Sequence, residues 1–153
     1  MFEMPSGSIY AVDEFFRNQI GSLPEENGSE EPSPVLPKVL IVDDEKRIVD
    51  TLKEILEMAG FQVATACDGW DALEVAARFH PDYLLSDVLM PRMNGVELAI
   101  AISKMHPATR ILLFSGQAGI SEILMDGQRQ GFEFELIAKP IHPLKLIEHL
   151  KNQ

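Results

Sequence analysis

From Lys38 onward, short continuous apolar runs alternate with stretches in which apolar residues recur at helical spacing. Val39 to Val42 is an unbroken apolar run, which suits a strand covered on both faces of a parallel sheet. Ile48, Leu52, Ile55, Leu56 and Ala59 follow at helical intervals, and Gly60 supplies a C-terminal stop. The alternation then repeats. A strand is predicted over Phe61 to Ala66, then a helix carrying Ala72, Leu73, Val75, Ala76 and Phe79, closed by His80-Pro81. Tyr83 to Ser86 reads as a third strand, and Val96 to Met105 as a helix that stops at His106-Pro107. Ile111 to Phe114 is a fourth strand, followed by a weaker helix from Ile120 to Gln130 and then Gly131. Phe132 to Ala138 gives a fifth strand, and Pro143, at a first-turn position, opens a closing helix to Leu150. Five strand-helix units in succession imply an α/β fold: an open, doubly wound, five-stranded parallel sheet with right-handed crossovers and helices on both faces. Such sheets bind ligands beyond the carboxyl ends of their strands.

The first 37 residues follow a different pattern. Ile9, Val12, Phe15, Phe16 and Ile20 lie near helical spacing, so Ser8 to Ile20 is predicted to form a short amphipathic helix. Gly21 to Pro37 is rich in Gly, Ser, Glu and Pro, a composition that buries too little surface to offset its ordering entropy, and reads as a linker. The predicted division is an N-terminal arm over 1–37 and a globular domain over 38–150. Charge follows the same division. Residues 1 to 34 carry seven Asp or Glu against the single Arg17, a net of −6 out of −11 for the chain. That balance argues against direct binding to phosphate backbones, which needs clustered Lys and Arg.

No stretch approaches the roughly 20 apolar residues needed to cross a bilayer, and the N-terminus lacks a basic-then-apolar signal layout. A cytoplasmic location without membrane association is the expectation. The one cysteine, Cys67, has no partner for an internal disulfide and is expected to be a small buried apolar residue.

Candidate chemistry collects at the strand ends. Asp43 and Asp44 follow the first strand, Asp87 the third, Ser115 ends the fourth, and Lys139 follows the fifth. Carboxylates converging on one spot repel each other unless a cation sits between them, and hard oxygen donors with open water positions suit Mg²⁺. A carboxylate also acts as a nucleophile toward phosphorus when positive charge neutralises the transferring group, a role open to Mg²⁺ and Lys139. Each residue alone has a plainer reading: Asp44 as a helix cap, Lys139 as a solvated charge, Ser115 as a turn residue, Pro140 as a turn marker after a cis or trans bond. Their joint placement at one sheet edge is what points to a site.

Four segments carry a resemblance: Val39 to Glu45 (VLIVDDE), Asp87 to Gly95 (DVLMPRMNG), Phe114 to Gly116 (FSG) and Ala138 to Pro140 (AKP). In that order they resemble the signature segments of response-regulator receiver domains, over about Lys38 to Leu150. The resemblance implies a flavodoxin-like fold with strand order 2-1-3-4-5, and a phosphoryl group taken onto Asp87 from a histidine kinase or a histidine phosphotransfer protein. It implies that Asp44, Asp87 and the backbone carbonyl of Leu89 hold Mg²⁺ directly, with Asp43 helping through water. Ser115 would hydrogen-bond the phosphoryl group and Lys139 would pair with it, while Met90-Pro91 and Asn94-Gly95 would shape the loop. The pattern departs from the family at one place: Leu136 stands where receivers carry Tyr or Phe, three residues before the lysine, as the rotating partner of the Ser/Thr switch. Phe134 shares its face by strand alternation.

Only Lys151, Asn152 and Gln153 follow Leu150, which sets the expectation of a stand-alone receiver that is not an enzyme on other substrates. It would act through contact with a downstream protein or a second copy of itself. A degenerate receiver serving as a phosphorylation-independent scaffold predicts lost acidic or lysine positions, and all are present. A Mg²⁺-dependent phosphohydrolase needs a second acid two residues beyond the nucleophile, where Leu89 stands. His80, His106, His142 and His149 show no ligand spacing and read as structural or solvent-facing, and Trp70 as a half-buried packing residue.

Overall fold

The structure, a computed structural model, describes residues 35–116 and 120–152. The helix expected over Ser8 to Ile20 and most of the linker, through Pro34, lie outside the described residues. Five parallel strands form one sheet in the order β2-β1-β3-β4-β5. They are β1 (Lys38–Val42), β2 (Gln62–Ala66), β3 (Tyr83–Asp87), β4 (Arg110–Ser115) and β5 (Glu135–Ala138). Between and after them run α1 (Lys46–Met58), α2 (Gly69–Phe79), α3 (Gly95–Met105), α4 (Ser121–Arg129) and α5 (Pro143–Lys151).

Strand alternation divides the core in two. Leu40, Val42, Leu84 and Leu113 face one side, where Ala72 and Ala76 of α2, Leu98 and Ile102 of α3 and Leu124 of α4 cover them. Val39, Ile41, Leu85, Leu112 and Phe114 face the other, under Val49, Leu52 and Leu56 of α1 and Leu146 and Leu150 of α5. Both faces of β1 and β3 are thereby removed from water, which is why those strands are continuous apolar runs. The sequence register holds across the centre, with Val42 beside Ser86 and Asp87 beside Phe114. All three strands therefore end at the same height.

Helix ends follow local chemistry. The Asp68 carboxylate accepts the Asp71 N–H at 2.8 Å, so α2 begins at Gly69, ahead of its first apolar position at Ala72. Asn94 and Glu97 form a capping box at the start of α3. At α1 the capping position is Glu45, with no side-chain cap, and Asp44 does not cap the helix. Past the end of α1, Gly60 takes φ 100°, a value that strains any residue with a Cβ.

Three expectations are corrected. β5 is shorter than Phe132 to Ala138, because the Phe132 N–H donates to the Gly127 carbonyl at the end of α4 and not to a strand. Cys67 is exposed: it is the residue after buried Ala66, where alternation turns the side chain outward. Trp70 is 61% exposed and not half-buried, since α2 presents Ala72 and Ala76 to the sheet and Trp70 lies off that face. Among the described residues, no helix is long and apolar enough to cross a membrane.

Candidate functional site

β1, β3, β4 and β5 bring their carboxyl-end residues to one edge of the sheet. Asp43 directly continues β1 and is buried, 1% exposed. Such a carboxylate needs partners, and it has two: its Oδ1 accepts the Glu45 N–H at 3.0 Å, and its Oδ2 accepts from Lys139 Nζ at 3.2 Å. Asp87 ends β3, and its Oδ2 lies 3.3 Å from the same ammonium. Asp44, the exposed member, offers an oxygen that lies with oxygens of Asp43 and Asp87 inside a 4.8 Å group.

Lys139 is positioned by backbone. Its N–H donates to the Ser115 carbonyl at 2.9 Å, and Ala138 is in register with Ser115, so the β5 loop is tied to the end of β4. The Lys139-Pro140 peptide bond is cis. At Gly116 a Cβ would come within 2.9 Å of the Lys139 Cβ, so the absence of a side chain there leaves room for the lysine. Gly95 does the same for the loop after β3: a Cβ on it would collide with the Asp87 carbonyl oxygen. Sequence reading assigned Gly95 to loop shape; the contact that requires glycine appears only once β3 and the start of α3 are folded together.

The electrostatics follow from this crowding. Burial, and then the charge of Asp43, hold the Asp87 carboxyl above its usual range, and the opposing pull of Lys139 and of a backbone hydrogen bond from Leu89 does not cancel them. For Lys139 burial is the largest single influence and lowers its basicity, yet the hydrogen bonds and charges of Asp43 and Asp87 together outweigh it and hold the ammonium above its ordinary value. Two carboxylates, Asp43 and Asp87, share one ammonium, and a third, Asp44, stands beside them. The donor set is all oxygen and carries uncompensated negative charge, and so fits a hard divalent cation such as Mg²⁺.

These groups open onto a cleft of about 660 Å³ that Asp44, Asp87, Leu89, Ser115 and Lys139 line. The structure therefore gathers every residue singled out from sequence, with Asp43 buried beneath. Sequence reasoning missed how far Asp43 engages Lys139, a contact that depends on side-chain reach across three strands. It also missed Ile48 and Ile120, which line the cleft with apolar surface.

Comparison with known proteins agrees with this geometry. The response regulator receiver domain profile matches residues 39–151. The chemotaxis protein CheY of Thermotoga maritima is 34% identical over 119 residues, covering 75% of this chain and 95% of CheY. The transcriptional regulatory protein CpxR of Escherichia coli (strain K12) is 33% identical over 114 residues, 74% of this chain and 47% of CpxR. The chain thus spans about half the length of that regulator. Among solved structures, a CheY-like receiver domain protein from Methanospirillum hungatei superposes with a TM-score of 0.69 at 29% identity, covering 77% of this chain and 93% of that one. CheY4 of Vibrio cholerae gives 0.68 at 32% identity, covering 77% and 98%. With its strand-end residues gathered at one edge and the match running from β1 to α5, the chain belongs to the response regulator receiver domain family of two-component signalling.

Proposed function

We propose that Asp87 is the phosphoacceptor, taking a phosphoryl group from a phosphohistidine of a histidine kinase or histidine phosphotransfer protein. An Asp87 carboxylate oxygen forms the new P–O bond as the P–N bond of the donor breaks, and the donor imidazole takes up a proton. The observation that carries this reading is the shared ammonium: Lys139 Nζ lies within 3.3 Å of Asp87 and 3.2 Å of Asp43, at the mouth of an open cleft. Lys139 neutralises charge on the incoming group, and Ser115, at the end of β4, holds one of its oxygens. Asp43, Asp44 and Asp87 would hold Mg²⁺ with the Leu89 carbonyl. When bound, the ion supplies the positive charge that three carboxylates and a phosphoryl group otherwise lack. Asp43, buried and fixed by the Glu45 N–H, holds the Lys139 ammonium at 3.2 Å, beside Asp87.

The chemistry is confined to the domain's own acyl phosphate, its formation and hydrolysis. Signalling then proceeds in the cytoplasm through contact with a downstream protein or a second copy of the chain, without direct contact to nucleic acid. The test is incubation with Mg²⁺ and a small acyl phosphate donor, followed by intact mass. A gain of one phosphoryl group, abolished by Asp87→Asn, is expected; full labelling of that variant would move the acceptor elsewhere. Asp44→Asn should weaken Mg²⁺ binding, and unchanged binding would remove Asp44 from the ligand set.

A further inference from the structure

At the opposite edge of the sheet, α2 and α3 each end on a histidine: His80 is the C-cap of α2 and His106 that of α3. Their rings lie 4.6 Å apart between centroids, inclined at 63°. His106 Nε2 lies 3.0 Å from the Ala76 carbonyl oxygen. A carbonyl only accepts, so Nε2 carries the proton and, in the neutral ring, Nδ1 is the bare nitrogen. His80 is exposed, and its ring nitrogens make no hydrogen bond to the described residues. Its backbone has φ 53°, in the left-handed region that Gly or Asn takes with less strain. Both rings, with Asp82 and Met105, line a recess of about 300 Å³.

We propose that His80 and His106 form a two-nitrogen donor site for a divalent cation of the Zn²⁺, Ni²⁺ or Cu²⁺ class, with water completing its coordination. Three observations carry this. A ligating imidazole commonly donates its other ring N–H to a backbone carbonyl, which sets its tautomer, and His106 does so. With metal–nitrogen bonds of about 2.0–2.1 Å, two adjacent imidazoles on one ion have centroids roughly 4.5–5.2 Å apart, a range that contains the separation found here. The recess beside them leaves space for water to complete the coordination. Imidazole nitrogen favours this class of ion, whereas Mg²⁺ favours oxygen, so the two edges of the sheet select different metals. A bound ion would tie the end of α2 to the end of α3, adding to the His106–Ala76 hydrogen bond that joins them.

The experiment is a calorimetric titration of the full chain with Zn²⁺ in excess Mg²⁺, paired with NMR of the histidine side chains. One equivalent of Zn²⁺ should bind and shift the ring signals of His80 and His106. His80→Asn and His106→Gln should each weaken binding tenfold or more, while His142→Ala and His149→Ala leave it unchanged. His80→Asn is the cleaner variant, since Asn accepts the left-handed backbone and the metal-free protein should melt no lower than the parent. The proposal is overturned if His80→Asn binds Zn²⁺ as tightly as the parent. It is equally overturned if His149→Ala abolishes binding, if the shifts stay with Asp43, Asp44 and Asp87, or if no Zn²⁺ binds over Mg²⁺.

Discussion

The site draws its acids and its lysine from two unlike parts of the sheet. Asp43 and Asp87 extend from β1 and β3, where Val39 to Val42 and Leu84 to Ser86 are fully out of solvent. Lys139 extends from β5, a four-residue edge strand on which only Ile137 is partly covered. Local stability follows buried apolar contact, so the carboxylates sit on better-packed backbone than the lysine does. That division suits a domain whose acceptor must be preorganised and whose reporting elements must respond. It also makes the contrast measurable.

The largest difference expected is in stability. Leu85, 0% exposed between α1 and α5, should lose about 2–5 kcal/mol on truncation to Ala, as buried leucines do. Leu136 is 43% exposed on β5, and Leu136→Ala should cost no more than about 0.5–1 kcal/mol. Urea denaturation of both variants reads the contrast directly, and equal losses would mean that β5 is as firmly held as β3. Next in size is the chemical step. Lys139→Met removes the one ammonium shared by Asp43 and Asp87 and should slow phosphorylation about a hundredfold, the order seen when a single charge-stabilising donor is lost. A rate within a few-fold of the parent would show that the soft edge contributes little to the chemistry.

A smaller effect comes from the acids themselves. In the metal-free protein, burial and the charge of Asp43 raise the Asp87 carboxyl above its ordinary 3.8. Relative to the unfolded chain the fold disfavours ionised Asp87, so this group's contribution to stability is fully present below that ordinary value and is lost as pH rises through the raised one. At neutral pH, Asp87→Asn should therefore melt a few degrees higher than the parent, and the gap should close in acid. Excess Mg²⁺ should raise the parent and leave the variant nearly unmoved. A variant that melts lower at pH 7 would mean that the Lys139 contact outweighs burial and repulsion.

What could be read ahead of the structure follows the same division. β1 and β3 announce themselves as unbroken apolar runs because both of their faces are covered, and the residue after each run must then emerge at the carboxyl edge. The edge positions of Asp43 and Asp87 were legible for that reason, and that of Ser115 from the like run in β4, whereas Lys139 was placed only by the fifth strand-helix alternation. The edge was harder. Phe132 to Phe134 looks like strand, yet the Phe132 N–H goes to Gly127, and Phe132 and Phe134 stack at 5.9 Å against the α3 side of the core. The outward turn of Cys67 and Trp70 depends on where β2 ends and how α2 is capped, which apolar spacing does not encode. The meeting of His80 with His106 was invisible for a related reason: they share no helix face in sequence, and only the packing of α2 beside α3 brings their ends together.

The smallest effect expected concerns the passage of the signal to the edge, and Leu136 decides it. In receivers with Tyr or Phe at this place, the ring moves into space that the Ser/Thr leaves as it turns to the phosphoryl group. Leu136 has no polar tip and already stands in solvent beside Glu135, which pairs with His149 at 2.8 Å and ties β5 to α5. Phe134 precedes the strand and stacks on Phe132, so it is not expected to replace the ring. Phosphorylation should accordingly slow amide exchange around Ser115 and Lys139 while changing it little across Ser121–Arg129 and Pro143–Lys151. Leu136→Tyr should enlarge the response of those two helices, because the tyrosine can bury its ring behind Ser115 and keep its hydroxyl wet. The measurement is hydrogen–deuterium exchange with and without a phosphate mimic, on parent and variant. Strong protection over α4 and α5 in the parent would show that the apolar edge transmits the signal without an aromatic ring, and the division between a stiff acidic centre and a weakly coupled edge would then fail at β5.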